Sequence, residues 1–254
     1  MPRLRTYKTE GVVLKHMPLG EADRILTILT PDVGKVRAVA RGVRRAKSRL
    51  GGHLDLLNQV SVSLSEGRSL DAVNEAEAFR SFRVLREDLE RVSKALYMAE
   101  LADGFSVENA PGFEVYRLLV DSLSWLEKTA RPDLLLRHFE VHLLEHSGYR
   151  PELRSCVECR SHLEPADHAF SPAMGGVLCH ECRPGAGRSV VPVSMNCMKI
   201  LRFLHRESRF ANVESLRVST SLLRETERLL RSYLRFLGER EVKSAEFMHL
   251  VSPE

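Results

Sequence analysis

Four of the five cysteines fall in two pairs, Cys156-Val157-Glu158-Cys159 and Cys179-His180-Glu181-Cys182, with nineteen residues between them. Each C-x-x-C knuckle bends the chain so that two thiolates face one point, and two knuckles complete a tetrahedron around a metal ion. Zinc suits four soft thiolates that carry no redox task. A full thiolate set closes the site, so one structural zinc ion is expected and the nearby His162, His168 and His180 are not needed as ligands. The odd Cys197, between Met195 and Met198 on a helix pattern, is expected in the core.

The second set of residues with chemistry to offer is cationic. From Lys35 to Arg49 the chain holds seven Lys or Arg and no acid. Lys35 to Arg41 alternates charge with Val36, Ala38 and Ala40, as a half-buried strand does. After Gly42 the alternation ends, and Arg44, Arg45, Lys47 and Arg49 crowd into eight residues. Such a loop repels itself, so an anionic partner is expected. Residues 1–80 carry fourteen Lys or Arg against nine Asp or Glu, so the whole surplus behind the net charge of +4 lies in the first third. No basic amphipathic helix occurs there, which favours nucleic acid over a membrane surface. The residues expected to grip phosphates without reading bases are Lys35, Arg37, Arg41, Arg44, Arg45, Lys47 and Arg49, with Arg24 extending the patch.

Other candidates carry less. His138-Phe139-Glu140 followed by a C-x-x-C resembles the H-x-E and P-C-x-x-C of zinc deaminases. Here Ser155 stands in place of the proline, and a second cysteine pair competes for the metal. The four-residue recurrence of His138, His142 and His146 is read more simply as a solvated helix stripe. Arg224, Arg228, Arg231 and Arg235 share one face of a late helix, flanked by Glu225 and Glu227, and read as solvated too. No phosphate-cradling glycine loop and no Ser/His/Asp set is present, so the chain is expected to be no enzyme.

The elements that must position these groups follow from periodicity. Strands are expected at Gly11–Leu14, Arg24–Thr30, Gly34–Gly42, Leu54–Leu64 and Leu70–Phe79, with turns at 18–20, 31–34 and 66–68; five short strands suit a small closed barrel of the OB type. From Phe82 the period becomes helical. Helices are expected over Phe82–Ala102, Phe113–Lys128, and from Pro132 to a stop at Gly148. Ser194 is placed to cap another, and Ser219–Leu237 is the last. The fold class is α+β: an N-terminal OB-fold barrel (1–80), a helical domain (81–150), a zinc-finger module (151–190), and the C-terminal part of the helical domain (191–254). No apolar run is long enough to span a membrane, and Met1-Pro2-Arg3-Leu4-Arg5 lacks the apolar stretch of a secretion signal, so a cytoplasmic place is expected.

Several segments together carry a likeness. Gly20-Glu21-Ala22-Asp23-Arg24-Ile25-Leu26-Thr27, the run Ala40 to Arg49, Phe139 to Gly148 leading into the first knuckle, and Val242-Lys243-Ser244 resemble the bacterial recombination-repair mediator family RecO, in order over nearly the whole chain. Val43 departs, since relatives often carry a smaller residue there. The resemblance implies an OB-fold, a helical domain and, in members with these cysteines, an architectural zinc. It also implies binding of single-stranded and double-stranded DNA, annealing of complementary strands, and partnership with RecR and the single-stranded-DNA-binding protein in loading RecA. Such a protein would be cytoplasmic and nucleoid-associated when active. The alternatives from the residues alone are a zinc-ribbon RNA-binding or transcription-associated protein and the deaminase.

Overall fold

The computed structural model describes residues 5–186, 190–238 and 243–251. Of the segments singled out above, Met1 to Leu4 and Val242 lie outside the described residues. By contacts the chain separates into two compact units, Met1–Lys128 with Lys243–Glu254, and Thr129–Val242.

The first unit opens with β1 (Thr6–Leu19), β2 (Asp23–Thr30), β3 (Gly34–Ala40), β4 (Gln59–Ser65) and β5 (Asp71–Arg80), closed in the order β1-β2-β3-β5-β4. The fourteen-residue β1 pairs with β4 through Val12 and with β2 onward from there, and a bulge between Val13 and Lys15 bends it around the corner. Closure comes from a short parallel pairing of β3 with β5 at Ala38–Asp71 and Val39–Ala72. The interior is filled by the inward residues of every strand, among them Val13, Leu26, Ile28, Val36, Ala38, Val62 and Leu64. The alternation read in β3 is realised: Val36, Ala38 and Ala40 are buried, and Lys35, Arg37 and Val39 are half-buried on the opposite face.

The largest difference from expectation is β1, which runs Thr6–Leu19 where Gly11–Leu14 is expected and carries into the turn expected at 18–20, because it pairs with β4 at one end and β2 at the other; two further bounds differ. β3 stops at Ala40, because Gly42 takes φ +63°, outside the extended region. Leu54 to Asn58 is loop, with Leu57 itself at φ +66°. Leu54 and Leu57 look strand-like because both are buried, Leu54 in the barrel core.

The helix expected from Phe82 to Ala102 is two: α1 (Arg83–Glu87) and α2 (Leu89–Phe105). Asp88 interrupts them in an extended conformation, its carboxylate accepting from the backbone N–H groups of Glu90 and Arg91. One residue out of helix barely disturbs the apolar spacing, so periodicity alone does not expose an N-cap aspartate. α3 (Phe113–Leu126) and the C-terminal α8 (Lys243–Val251) complete this unit, α8 packing on α2.

The second unit holds α4 (Pro132–His146), a three-stranded sheet of β6 (His168–Ser171), β7 (Gly176–Leu178) and β8 (Val191–Val193) in the order β7-β6-β8, then α5 (Met195–Arg206), α6 (Phe210–Val213) and α7 (Thr220–Gly238). Proline at the first turn starts α4. At its end Gly148, at φ +82°, donates to the Glu145 carbonyl while Tyr149 donates to that of Leu144, a Schellman closure. Ser194 caps α5 by accepting from the Cys197 N–H at 3.1 Å. The helices expected to form one domain therefore divide between the units: α1–α3 and α8 in the first, α4–α7 in the second.

Candidate nucleic-acid interface and metal centre

The basic loop between β3 and β4 is tied to the barrel at several points. Val43 and Leu54 insert into the barrel core, and Asn58, buried, donates to the carbonyls of Gly52 and His53. At the other end the loop is held by the turn between β1 and β2. Asp23 accepts from the Gly42 N–H at 2.7 Å, the Arg44 N–H donates to the Ala22 carbonyl at 2.9 Å, and the Arg44 guanidinium reaches the Gly20 carbonyl. The two segments are twenty residues apart in sequence, yet they form one rim.

On that rim Arg41, Arg44, Arg45, Lys47 and Arg49 are exposed, and none has an ion pair among the described residues. Arg37 is half-buried on the outer face of β3. Two expected members of the patch are engaged within the protein. Lys35 is held by Asp103, 3.2 Å from its carboxylate, and donates to its backbone carbonyl, with 15 % of the side chain exposed. Arg24 lies 3.6 Å from the Asp55 carboxylate. The partners are 68 and 31 positions away, beyond the reach of any local pattern.

Aromatic surface is sparse here. The Tyr7 hydroxyl donates to Asp71, and burial, reinforced by that bond, raises its pKa. Phe79 on β5 is 52 % exposed, a ring that alternation did not single out.

In the second unit the Sγ atoms of Cys156, Cys159, Cys179 and Cys182 all lie within 4.8 Å of one another, and all are free thiols. The Cys159 and Cys179 sulfurs are 3.8 Å apart. A tetrahedral zinc with bonds of about 2.3 Å requires an edge of about 3.8 Å between thiolates, so the set fits that ion. β7 leads directly into the second knuckle, and the Val157 N–H donates to the Val177 carbonyl, locking one knuckle to the other. Gly176 permits the approach, since a Cβ there would meet the Glu152 carbonyl at 2.7 Å. Hydrogen bonds from the Ser161 hydroxyl and backbone favour the Cys159 thiolate, lowering its pKa to about 6, and the Cys179 N–H donates to the Cys156 sulfur. A bound ion would supply a cross-link between two knuckles and no open coordination position.

The N-terminal model of recombination protein O matches residues 4–82 and its C-terminal model residues 86–246. The chain belongs to the recombination protein O family. The DNA repair protein RecO of Dehalococcoides mccartyi is 36% identical over 252 residues, covering 99% of this chain and 98% of the relative. Those of Roseiflexus sp. and Symbiobacterium thermophilum are 42% and 38% identical over 246 residues each, covering 97% and 95% of this chain and 86% and 96% of their own lengths.

Within this RecO-family chain the histidine stripe needs correction. His138 and His142 are buried, and only His146 of the three is exposed. Both buried rings face the Glu207 carbonyl, at 2.8 and 3.1 Å, and burial beside His142 lowers the His138 pKa to about 4. Glu140, fully buried, is 3.2 Å from the Arg137 guanidinium. Among the described residues the metal-ligating cluster consists of the four cysteines without His138, so the H-x-E does not assemble a deaminase centre. Arg224, Arg228, Arg231 and Arg235 are all exposed on α7. No helix among the described residues is long and apolar enough to cross a membrane.

Sequence reading missed Asp23 as a positioning residue. Its carboxylate fixes the loop through one charge-assisted bond to a glycine amide, so Asp23→Ala is expected to cost about 1–2 kcal/mol of barrel stability and to speed exchange of the Gly42 amide. Urea midpoints and amide exchange read both; an unaltered Gly42 exchange rate would remove Asp23 from that role.

Proposed function

We propose that this RecO-family protein is a non-enzymatic recombination mediator that binds single-stranded DNA on the β3–β4 rim. The observation that carries the reading is five exposed Lys and Arg side chains, free of ion pairs among the described residues, held on one rim of a closed barrel. Arg41, Arg44, Arg45, Lys47 and Arg49 take phosphates, with Arg37 flanking them. Arg24 and Lys35 add to the local field, each while paired to its aspartate. Neutralising two phosphate backbones lowers their repulsion, so complementary strands, and the duplex they become, are held on the same surface. Annealing then follows from base pairing alone. Zinc, on four thiolates, is structural. The partners that family resemblance adds are RecR, the single-stranded-DNA-binding protein and, through them, RecA, in a cytoplasmic protein that joins the nucleoid when it acts.

Five phosphates neutralised on the rim contribute about −3.5 to the slope of log affinity against log salt on single strands, from roughly 0.7 per contact. Fluorescence anisotropy on an oligothymidylate across a salt series measures it. A flat salt response removes the electrostatic reading. Competition with duplex DNA and structured RNA in the same assay separates it from a zinc-ribbon RNA-binding protein, which would prefer those competitors.

A further inference from the structure

The second unit carries a cationic cleft to which neither the barrel rim nor the cysteines contribute. It has a volume of about 280 Å³ and is lined by the segment after α4 and by the end of α5. Four of the eight lining residues are arginines, Arg150, Arg154, Arg202 and Arg206, and Glu152 is the one acid. Glu152 is already engaged, its carboxylate accepting from the backbone N–H groups of Arg154 and Ser155 at 2.6 and 3.0 Å.

The arginines differ in what they have left to give. Arg202 fixes the floor, its Nε donating to the Leu153 carbonyl at 2.9 Å. Arg150 lies 3.0 Å from Glu145 and Arg206 3.1 Å from Glu207 through Nε, which leaves the rest of each fork. Arg154 is exposed, and its guanidinium makes no hydrogen bond or ion pair among the described residues. His205, also lining the cleft, is buried with neither ring nitrogen hydrogen-bonded; Nδ1 is 4.0 Å from Glu145. Both ring nitrogens are closed off from solvent, so the oxyanion donors of the cleft are its guanidinium groups.

From this arrangement we infer that the cleft is a second nucleic-acid contact, taking a backbone phosphodiester of single-stranded DNA. Its ligand class rests on the nucleic-acid reading above, but its residues and its test are separate from the barrel rim. A volume of about 280 Å³ has room for a phosphate with part of its sugar. The apolar lining residues, Pro151 and Leu153, are buried, so the cleft offers no socket for the apolar anchor on which peptide recognition depends.

The test uses the full-length protein with Arg154→Ala and Arg206→Ala together, and oligothymidylate binding followed by anisotropy across a salt series. Losing two phosphate contacts is expected to make the salt slope shallower by about 1.4 and to weaken binding about 25-fold at 0.1 M salt. Arg154→Lys with Arg206→Lys, which keeps the charge, retains most of the slope. Should the double alanine variant melt at a lower temperature than the parent, Arg154→Ala alone is read, with an expected slope change of about 0.7. An unchanged slope and affinity overturns the inference whatever variants of the barrel rim do. So does displacement of bound DNA by a glutamate-rich peptide in the parent but not in the double variant, combined with an unchanged salt slope, since that marks a carboxylate site.

Discussion

Replacing Arg44, Arg45 and Lys47 together by alanine is expected to weaken single-stranded DNA binding about 100-fold at 0.1 M salt, equally for all sequences, and to take about 2.1 from the salt slope. Each lost phosphate contact gives up release of roughly 0.7 counterion, and at 0.1 M three such contacts amount to two decades. All three side chains are exposed, and the loop's anchors are elsewhere, at Val43, Leu54, Asn58 and Asp23. Fold stability is therefore expected to change little, apart from the exposed Arg44 bond to the Gly20 carbonyl. Anisotropy with homopolymer and mixed sequences, beside thermal melts, measures both. An affinity within twofold of the parent would move the site off the rim; a loss confined to particular sequences would mean that bases are read. The same triple variant should anneal complementary strands more slowly, because the step needs the backbones neutralised.

Stripping the metal is expected to unfold the knuckle segment and leave the barrel intact. The segment 151–186 has short strands of three or four residues and a small core of Leu153, Leu163, Ala169, Phe170, Val177 and Leu178. That is too little apolar area to hold two knuckles together unaided, whereas four thiolates on one zinc contribute on the order of 10 kcal/mol in small zinc-binding peptides. Purified protein should carry one equivalent of zinc. After chelation, trypsin should cut at Arg160 and Arg183 within this segment, while the fragment holding the barrel resists, because its strands close on one another with a core of their own. Cys179→Ser should reproduce the pattern without chelator. Less than half an equivalent of metal, or a protease pattern indifferent to chelation, would rule out four-thiolate ligation.

Much of this was legible in the chain because it is encoded over short windows. The alternation of Val36, Ala38 and Ala40 with Lys35 and Arg37 requires a strand with one buried face, and β3 has it. Two C-x-x-C pairs require convergence, and the sulfurs converge. Pro132, Gly148 and Ser194 mark helix ends through backbone chemistry that acts within four residues, and each stands where it should. Where a single residue breaks a pattern without shifting its phase, as Asp88 does between α1 and α2, the pattern conceals the break.

Other features needed the tertiary structure, because they depend on residues far apart in sequence. That Asp103 holds Lys35 and Asp55 holds Arg24, while Arg41 to Arg49 stay open, follows from where the barrel and α2 bring carboxylates, and charge counting is blind to it. His138 and His142 share the spacing of a solvated stripe, yet they are buried because α5 and the segment after it bring the Glu207 carbonyl to them. The arginines of the second cleft, split between positions 150–154 and 202–206, form no pattern in one dimension. Sequence determined the kinds of elements and the chemistry of the cysteines and cations, since periodicity and ligand spacing are local. Folding decided which cations remain available, since pairing and burial are settled only when distant carboxylates, carbonyls and apolar faces meet.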